Sequence, residues 1–136
     1  MKPIKILMLE DSDMDVEIVR EELKQSKFAN ELIIYDTLEA ATARLRKGDI
    51  DLLLVDIHLG LDSGLDFVKA VKDGGLIENT AVVIVSGSDS HKDISHATEL
   101  NIDAWIEKPL DVDKFRFVVE KVPELNWLIV RKENAA

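Results

Sequence analysis

Residues 52–56 read Leu52-Leu53-Leu54-Val55-Asp56, an unbroken apolar run that closes on an acid. Four consecutive large aliphatic residues without alternation predict a strand buried on both faces, as in a parallel sheet. Similar runs recur on either side. Ile6-Leu7-Met8-Leu9 ends in Glu10-Asp11, and Leu32-Ile33-Ile34-Tyr35 forms a second strand. Val82-Val83-Ile84-Val85 ends in Ser86-Gly87-Ser88, and Ala104-Trp105-Ile106 runs into Glu107-Lys108-Pro109. Helix-length stretches separate them. Ser12 or Asp13 caps a predicted helix from about Met14 to Ser26, in which Val16, Val19 and Leu23 recur at helical spacing. Thr37 caps the next, which stops near Lys47-Gly48. Further helices are expected from about Leu65 to Asp73, from about Ser90 to Leu100, and from near Asp111. Five strand runs separated by four helix-length segments predict an α/β fold, a doubly wound parallel sheet covered on both faces.

The composition suits that fold. The chain has 136 residues, of which 46% are hydrophobic, sufficient for one core. Its 17 Lys and Arg against 27 Asp and Glu give a net charge of -10, which argues against binding a nucleic-acid backbone or anionic lipid. With no cysteine, disulfides, thiolate metal sites and cysteine nucleophiles are excluded. The longest apolar run, Ala81 to Val85, is too short to span a membrane, and the N-terminus shows no signal-peptide core. A cytoplasmic domain is expected.

In doubly wound sheets the binding crevice lies beyond the carboxyl ends of the strands. Those positions here hold Glu10, Asp11, Asp56, Ser86 and Lys108. Taken singly, the acids read as helix caps or turn formers, Ser86 as a capping hydroxyl and Lys108 as a surface charge. Their conjunction at one sheet edge, with no comparable cluster at the other, favours a site. Two carboxylates ~5 Å apart at an effective dielectric of ~20 repel by roughly 3 kcal/mol. A divalent cation relieves that, and all-oxygen ligands select Mg²⁺ or Mn²⁺. The implied chemistry is phosphoryl transfer to a carboxylate nucleophile, with the metal and Lys108 neutralising the transferred group.

Leu9-Glu10-Asp11-Ser12, Asp56 with Gly64 eight residues later, Ser86-Gly87 and Lys108-Pro109 together resemble the receiver domains of two-component response regulators. The intervals also match that family: 45 residues from Asp11 to Asp56, 30 to Ser86 and 22 to Lys108. The resemblance runs to about Val122 and implies a CheY-like, flavodoxin-like sandwich with strand order 2-1-3-4-5. It implies a stand-alone receiver over residues 1–122, with 123–136 a C-terminal extension. Asp56 matches the phosphoacceptor. Glu10, Asp11, Asp56 and the backbone carbonyl of His58 match the Mg²⁺ ligands, Glu10 acting mainly through water. Lys108 and Ser86 match the groups that contact the phosphoryl oxygens. Ser86 and Trp105 match the switch positions, and Lys108-Pro109 a bond that is often cis. The implied partners are a sensor histidine kinase or phosphotransfer protein and a downstream protein. Departures from the commonest pattern are Gly60 for proline, Ser86 for threonine, and Trp105 for tyrosine or phenylalanine.

The ring of His58 is read either as an exposed loop residue or as a screen for the water that attacks the acyl phosphate. His91 and His96 stand five residues apart, about 140° around a helix, and do not form a metal pair. The tail Leu125 to Val130, with Trp127, either covers the domain's own core or forms a homodimer contact. It is similar to the tails of the small response regulators paired with bacterial phytochromes. Two other readings stay open. A phosphorylation-independent adaptor would not need the acids. A Mg²⁺-dependent phosphatase would carry a second acid where His58 stands.

Overall fold

The computed structural model describes residues 3–25, 29–59, 62–87, 91–108, 111 and 113–114. In chain order the elements are β1 (Ile4–Leu9), α1 (Asp13–Lys24), β2 (Asn30–Tyr35), α2 (Leu38–Arg46) and β3 (Leu52–Asp56). There follow β4 (His58–Leu59), β5 (Asp62–Ser63), α3 (Gly64–Asp73), β6 (Ala81–Ser86), α4 (His91–Glu99) and β7 (Ala104–Glu107). The main sheet has the order β2-β1-β3-β6-β7, and every pairing in it is parallel. Counting its five strands alone, this is the expected 2-1-3-4-5. The short β4 and β5 pair with each other, antiparallel, where the sequence predicted only a loop. Strands of two residues are too short to show a period, so that hairpin left no pattern to read.

The strand runs lack polar positions because β1, β3 and β6 are interior strands covered on both faces. Edge strand β2 is half-buried along most of its length. Successive side chains alternate between two cores. Ile6, Met8, Leu52, Leu54, Val83 and Val85 face α1 through Val19 and Leu23. Leu7, Leu9, Leu53, Val55, Val82 and Ile84 face the other helices, meeting Ala41, Leu45, Phe67, Val68, Val71 and Ala97. A residue of strand length therefore serves one core or the other according to parity alone.

The helix starts follow the caps. The hydroxyl of Ser12 accepts from the Asp15 amide, that of Thr37 from Ala40, and that of Ser63 from Asp66. Ser12 rather than Asp13 is thus the cap of α1, and a cap of this kind contributes about 1 kcal/mol. At the C-terminus of α2 the chain reverses through Gly48 and Asp49, both with positive φ. The carboxylate of Asp111 accepts from the Lys114 amide at 2.8 Å, the capping contact expected where the last helix begins. The Pro109 imide, Gly60, the body of the last helix and the tail with Trp127 lie outside the described residues.

At the amino ends of the strands, acids serve the backbone. The amide of Lys5 donates to Asp51 Oδ2 at 2.9 Å and that of Val82 to Asp103 Oδ2 at 2.7 Å. The acids at the carboxyl ends do something different.

Candidate functional site

Parallel pairing brings the carboxyl ends of the strands to one edge. Glu10 follows β1, Asp56 closes β3, Ser86 closes β6 and Lys108 follows β7. The register sets Leu9 beside Val55, Asp56 beside Val85, and Ser86 beside Glu107. Lys108 reaches back across this edge. Its Nζ donates to Glu10 Oε1 at 2.6 Å, Asp15 Oδ2 at 2.6 Å and Asp56 Oδ2 at 3.0 Å. An ammonium has three donors, so these contacts use all of them.

Two of the three partners were expected at the strand ends. Asp15 was not. It lies in the first turn of α1, where an acid is ordinarily explained by the helix dipole. The signal available in the sequence was its place four residues after Asp11, one helical turn from the strand end.

Glu10, Asp11 and Asp56 each offer a carboxylate oxygen, and these oxygens lie within 4.8 Å of one another. Glu10 is 1% exposed and Asp56 9%, whereas Asp11 opens to solvent. The Asp11 amide donates to Glu10 Oε2 at 3.2 Å. Three carboxylates at this spacing with only oxygen donors fit a hard divalent cation, and Asp11 gives the site an exposed side. With Asp15 the pocket holds four acids against one ammonium.

The titration behaviour follows from that imbalance. Burial, reinforced by the hydrogen bond and charge of Asp56, pushes the Glu10 carboxyl up to about 8 against the opposing pull of Lys108. The hydrogen bond from Lys108 holds Asp15 below the usual carboxylate range, although partial burial opposes it. Burial works against the Lys108 charge, yet its bonds to Asp15, Glu10 and Asp56 outweigh this and raise its pKa above the ordinary lysine value. Lys108 therefore stays cationic at physiological pH.

Asp56 is held from behind. The Gly64 amide donates to the Ile57 carbonyl at 2.8 Å, bringing the start of α3 against the end of β3. A Cβ on Gly64 would lie 2.1 Å from the Asp56 carbonyl oxygen and 2.8 Å from Val55 Cγ1. Only glycine fits so close to the backbone of Asp56.

Ser86 is fully buried, and its carbonyl accepts from the Lys108 amide at 2.8 Å. Trp105 is half-buried on β7 beside Ile84, packed against the core that α2, α3 and α4 share. His58 begins β4 opposite Ser63, and its ring lies outside the described residues, as does the side chain of His91. His96 is half-buried on α4. Among the described residues, Glu10, Asp11 and Asp56 are the acids or histidines grouped closely enough to ligate one ion. No described helix is long and apolar enough to cross a membrane.

The profile of the response regulator receiver domain matches residues 6–120. Response regulator Rcp1 of Synechocystis sp. is 29% identical over 124 residues, spanning 85% of this chain and 84% of that protein. The Mn²⁺-bound form of Rcp1 superposes with a TM-score of 0.74 at 29% identity, covering 87% of this chain and 92% of Rcp1. The phosphorylated cyanobacterial phytochrome response regulator RcpA gives 0.75 at 27% identity, covering 93% and 95%.

Proposed function

This chain belongs to the response-regulator receiver family, and we propose that it is a single-domain receiver of a two-component phosphorelay in which Asp56 accepts the phosphoryl group. The donor is the phosphohistidine of a sensor histidine kinase or phosphotransfer protein. A carboxylate oxygen of Asp56 attacks phosphorus in line. The new P–O bond forms as the P–N bond breaks, and the donor histidine leaves as imidazole. Lys108, already 3.0 Å from Asp56 Oδ2, turns a donor to a phosphoryl oxygen. The Ser86 hydroxyl takes a second. Asp11, Asp56 and the His58 carbonyl would hold Mg²⁺, with Glu10 acting through water, and the bound ion would supply the remaining neutralising charge. The related Rcp1 has been solved in a Mn²⁺-bound form, which supports a divalent ion as the metal of this reading.

Output is a changed protein-binding surface around Trp105 and α4, drawn by Ser86 toward the phosphoryl group. The receiver is assigned to residues 1–122 and a C-terminal extension to 123–136, for which a homodimer contact is the alternative to covering the domain's own core. The group is accepted stoichiometrically and later lost to water, so the protein is not a turnover enzyme. The setting is cytoplasmic.

One observation carries this reading: a single ammonium shared between the Glu10 and Asp56 carboxylates, beside a third acid, on the switch-point edge of a parallel sheet. The test is incubation with acetyl phosphate and Mg²⁺. A labile adduct of one phosphoryl mass is expected, and Asp56→Asn abolishes it. Sustained hydrolysis of unrelated phosphomonoesters would point to a phosphatase instead.

A further inference from the structure

Lys108 has three carboxylate partners, but they are not equivalent. Glu10 and Asp56 belong to the cluster suited to a divalent cation, and Asp15 does not. Asp15 also differs in origin. It is carried by α1, while the other two stand at strand ends, and it meets Lys108 across 93 residues of sequence. The Lys108 stem lines a narrow cleft whose other walls are the apolar Met8, Ile18, Val19 and Val85. Polar anchorage in that cleft comes from Glu10 and Asp15. Both lie at 2.6 Å, closer than Asp56 at 3.0 Å.

We infer that Asp15 is a positioning residue for phosphoryl acceptance, one that keeps the Lys108 ammonium aimed at Asp56 when Glu10 and Asp56 are engaged by a cation. The inference rests on the phosphoacceptor reading above. With Asp15 in place, Lys108 keeps an anchor that does not depend on the cation-binding acids. Without it, the four-carbon stem is free to swing toward solvent, and the charge meant for the phosphoryl oxygens is misplaced.

Two measurements test it. In the first, Asp15→Ala, Asp15→Asn and Asp15→Glu are phosphorylated by acetyl phosphate over a Mg²⁺ series. A misplaced charge predicts a fall of about tenfold in the saturating rate for Asp15→Ala, with half-saturating Mg²⁺ changed by less than about twofold. Asp15→Glu, which keeps the charge, recovers most of that rate. An unchanged saturating rate, or a loss fully reversed by more Mg²⁺, overturns the proposal. In the second, the Lys108 ammonium is observed by ¹H–¹⁵N NMR in the Mg²⁺-loaded protein at low temperature. Its signal is expected in the wild type and absent in Asp15→Ala, or in the near-isosteric Asp15→Asn should the alanine variant not fold. Persistence of the signal refutes the anchoring role. If the wild type forms no adduct, the phosphoacceptor reading fails by itself, and the ammonium signal still decides whether Asp15 holds Lys108.

Discussion

Gly64→Ala adds one methyl group where α3 meets β3, and its effect can be worked from two distances. The new Cβ falls 2.1 Å from the Asp56 carbonyl oxygen and 2.8 Å from Val55 Cγ1. Close carbon–oxygen contacts lie near ~3.3 Å, so the overlap with the carbonyl is roughly 1.2 Å. The obstacle is backbone in the central strand β3, which cannot rotate away as a side chain would. Overpacking of this kind costs about 2–3 kcal/mol, a large part of a domain's ~5–15 kcal/mol. The thermal midpoint should drop by about 10 °C. Relief requires α3 or the end of β3 to move by about 1 Å, and the latter displaces Asp56. A shift of that size at a reacting group lowers rates by about 10²-fold. Gly48→Ala is the internal control. Its φ of +77 strains any side chain, but nothing lies within 4 Å and the site is remote. It should lose about 1–2 kcal/mol and accept phosphoryl from acetyl phosphate at the wild-type rate. Urea melts by circular dichroism give the stabilities, and mass spectrometry the adduct rate. A Gly64→Ala protein with wild-type stability and rate would refute the close approach and the placement of Asp56 that depends on it.

Replacing Lys108 by Met leaves the buried Glu10 without its cation and should cost about 3 kcal/mol at pH 9. The loss shrinks at pH 6, where Glu10 carries a proton, and equal losses in urea melts at both values would contradict this. Glu10 itself has a folded-state pKa raised from 4.5 to about 8 by burial, with Asp56 and Lys108 as its charged neighbours. Its contribution to stability is therefore complete below pH 4.5 and is lost as the pH rises through 8. In EDTA, wild type should weaken relative to Glu10→Gln across that window, and a pH-independent difference between their thermal midpoints would rule this out. The Lys69–Asp73 pair on α3 has side chains 59% and 66% exposed. Lys69→Ala should change stability by less than about 0.5 kcal/mol, and a larger shift in the urea midpoint would show that the pair is not simply solvated.

What was legible in the sequence was what obeys a period. Interior strands announced themselves by runs without polar breaks, and their last residues were thereby placed on one edge. That was enough to bring Glu10, Asp11, Asp56, Ser86 and Lys108 to the same edge before any coordinates. Asp15 escaped because its contact depends on where the β7 end delivers a long side chain, a distance no periodicity encodes. In its own turn of helix it is merely one of two acids, with Asp13, near an N-terminus. Edge strand β2 begins at Asn30 rather than Leu32 because backbone pairing with Ile4 and Lys5 extends past the apolar run. Hydrophobicity marks where a strand is covered, and hydrogen bonding decides where it ends.

The bond from the Lys108 amide to the Ser86 carbonyl carries the β6–β7 pairing one step past Glu107 and ties the backbone of Lys108 to that of Ser86. A perturbation of either backbone is transmitted to the other through one peptide contact, without any side chain as intermediary.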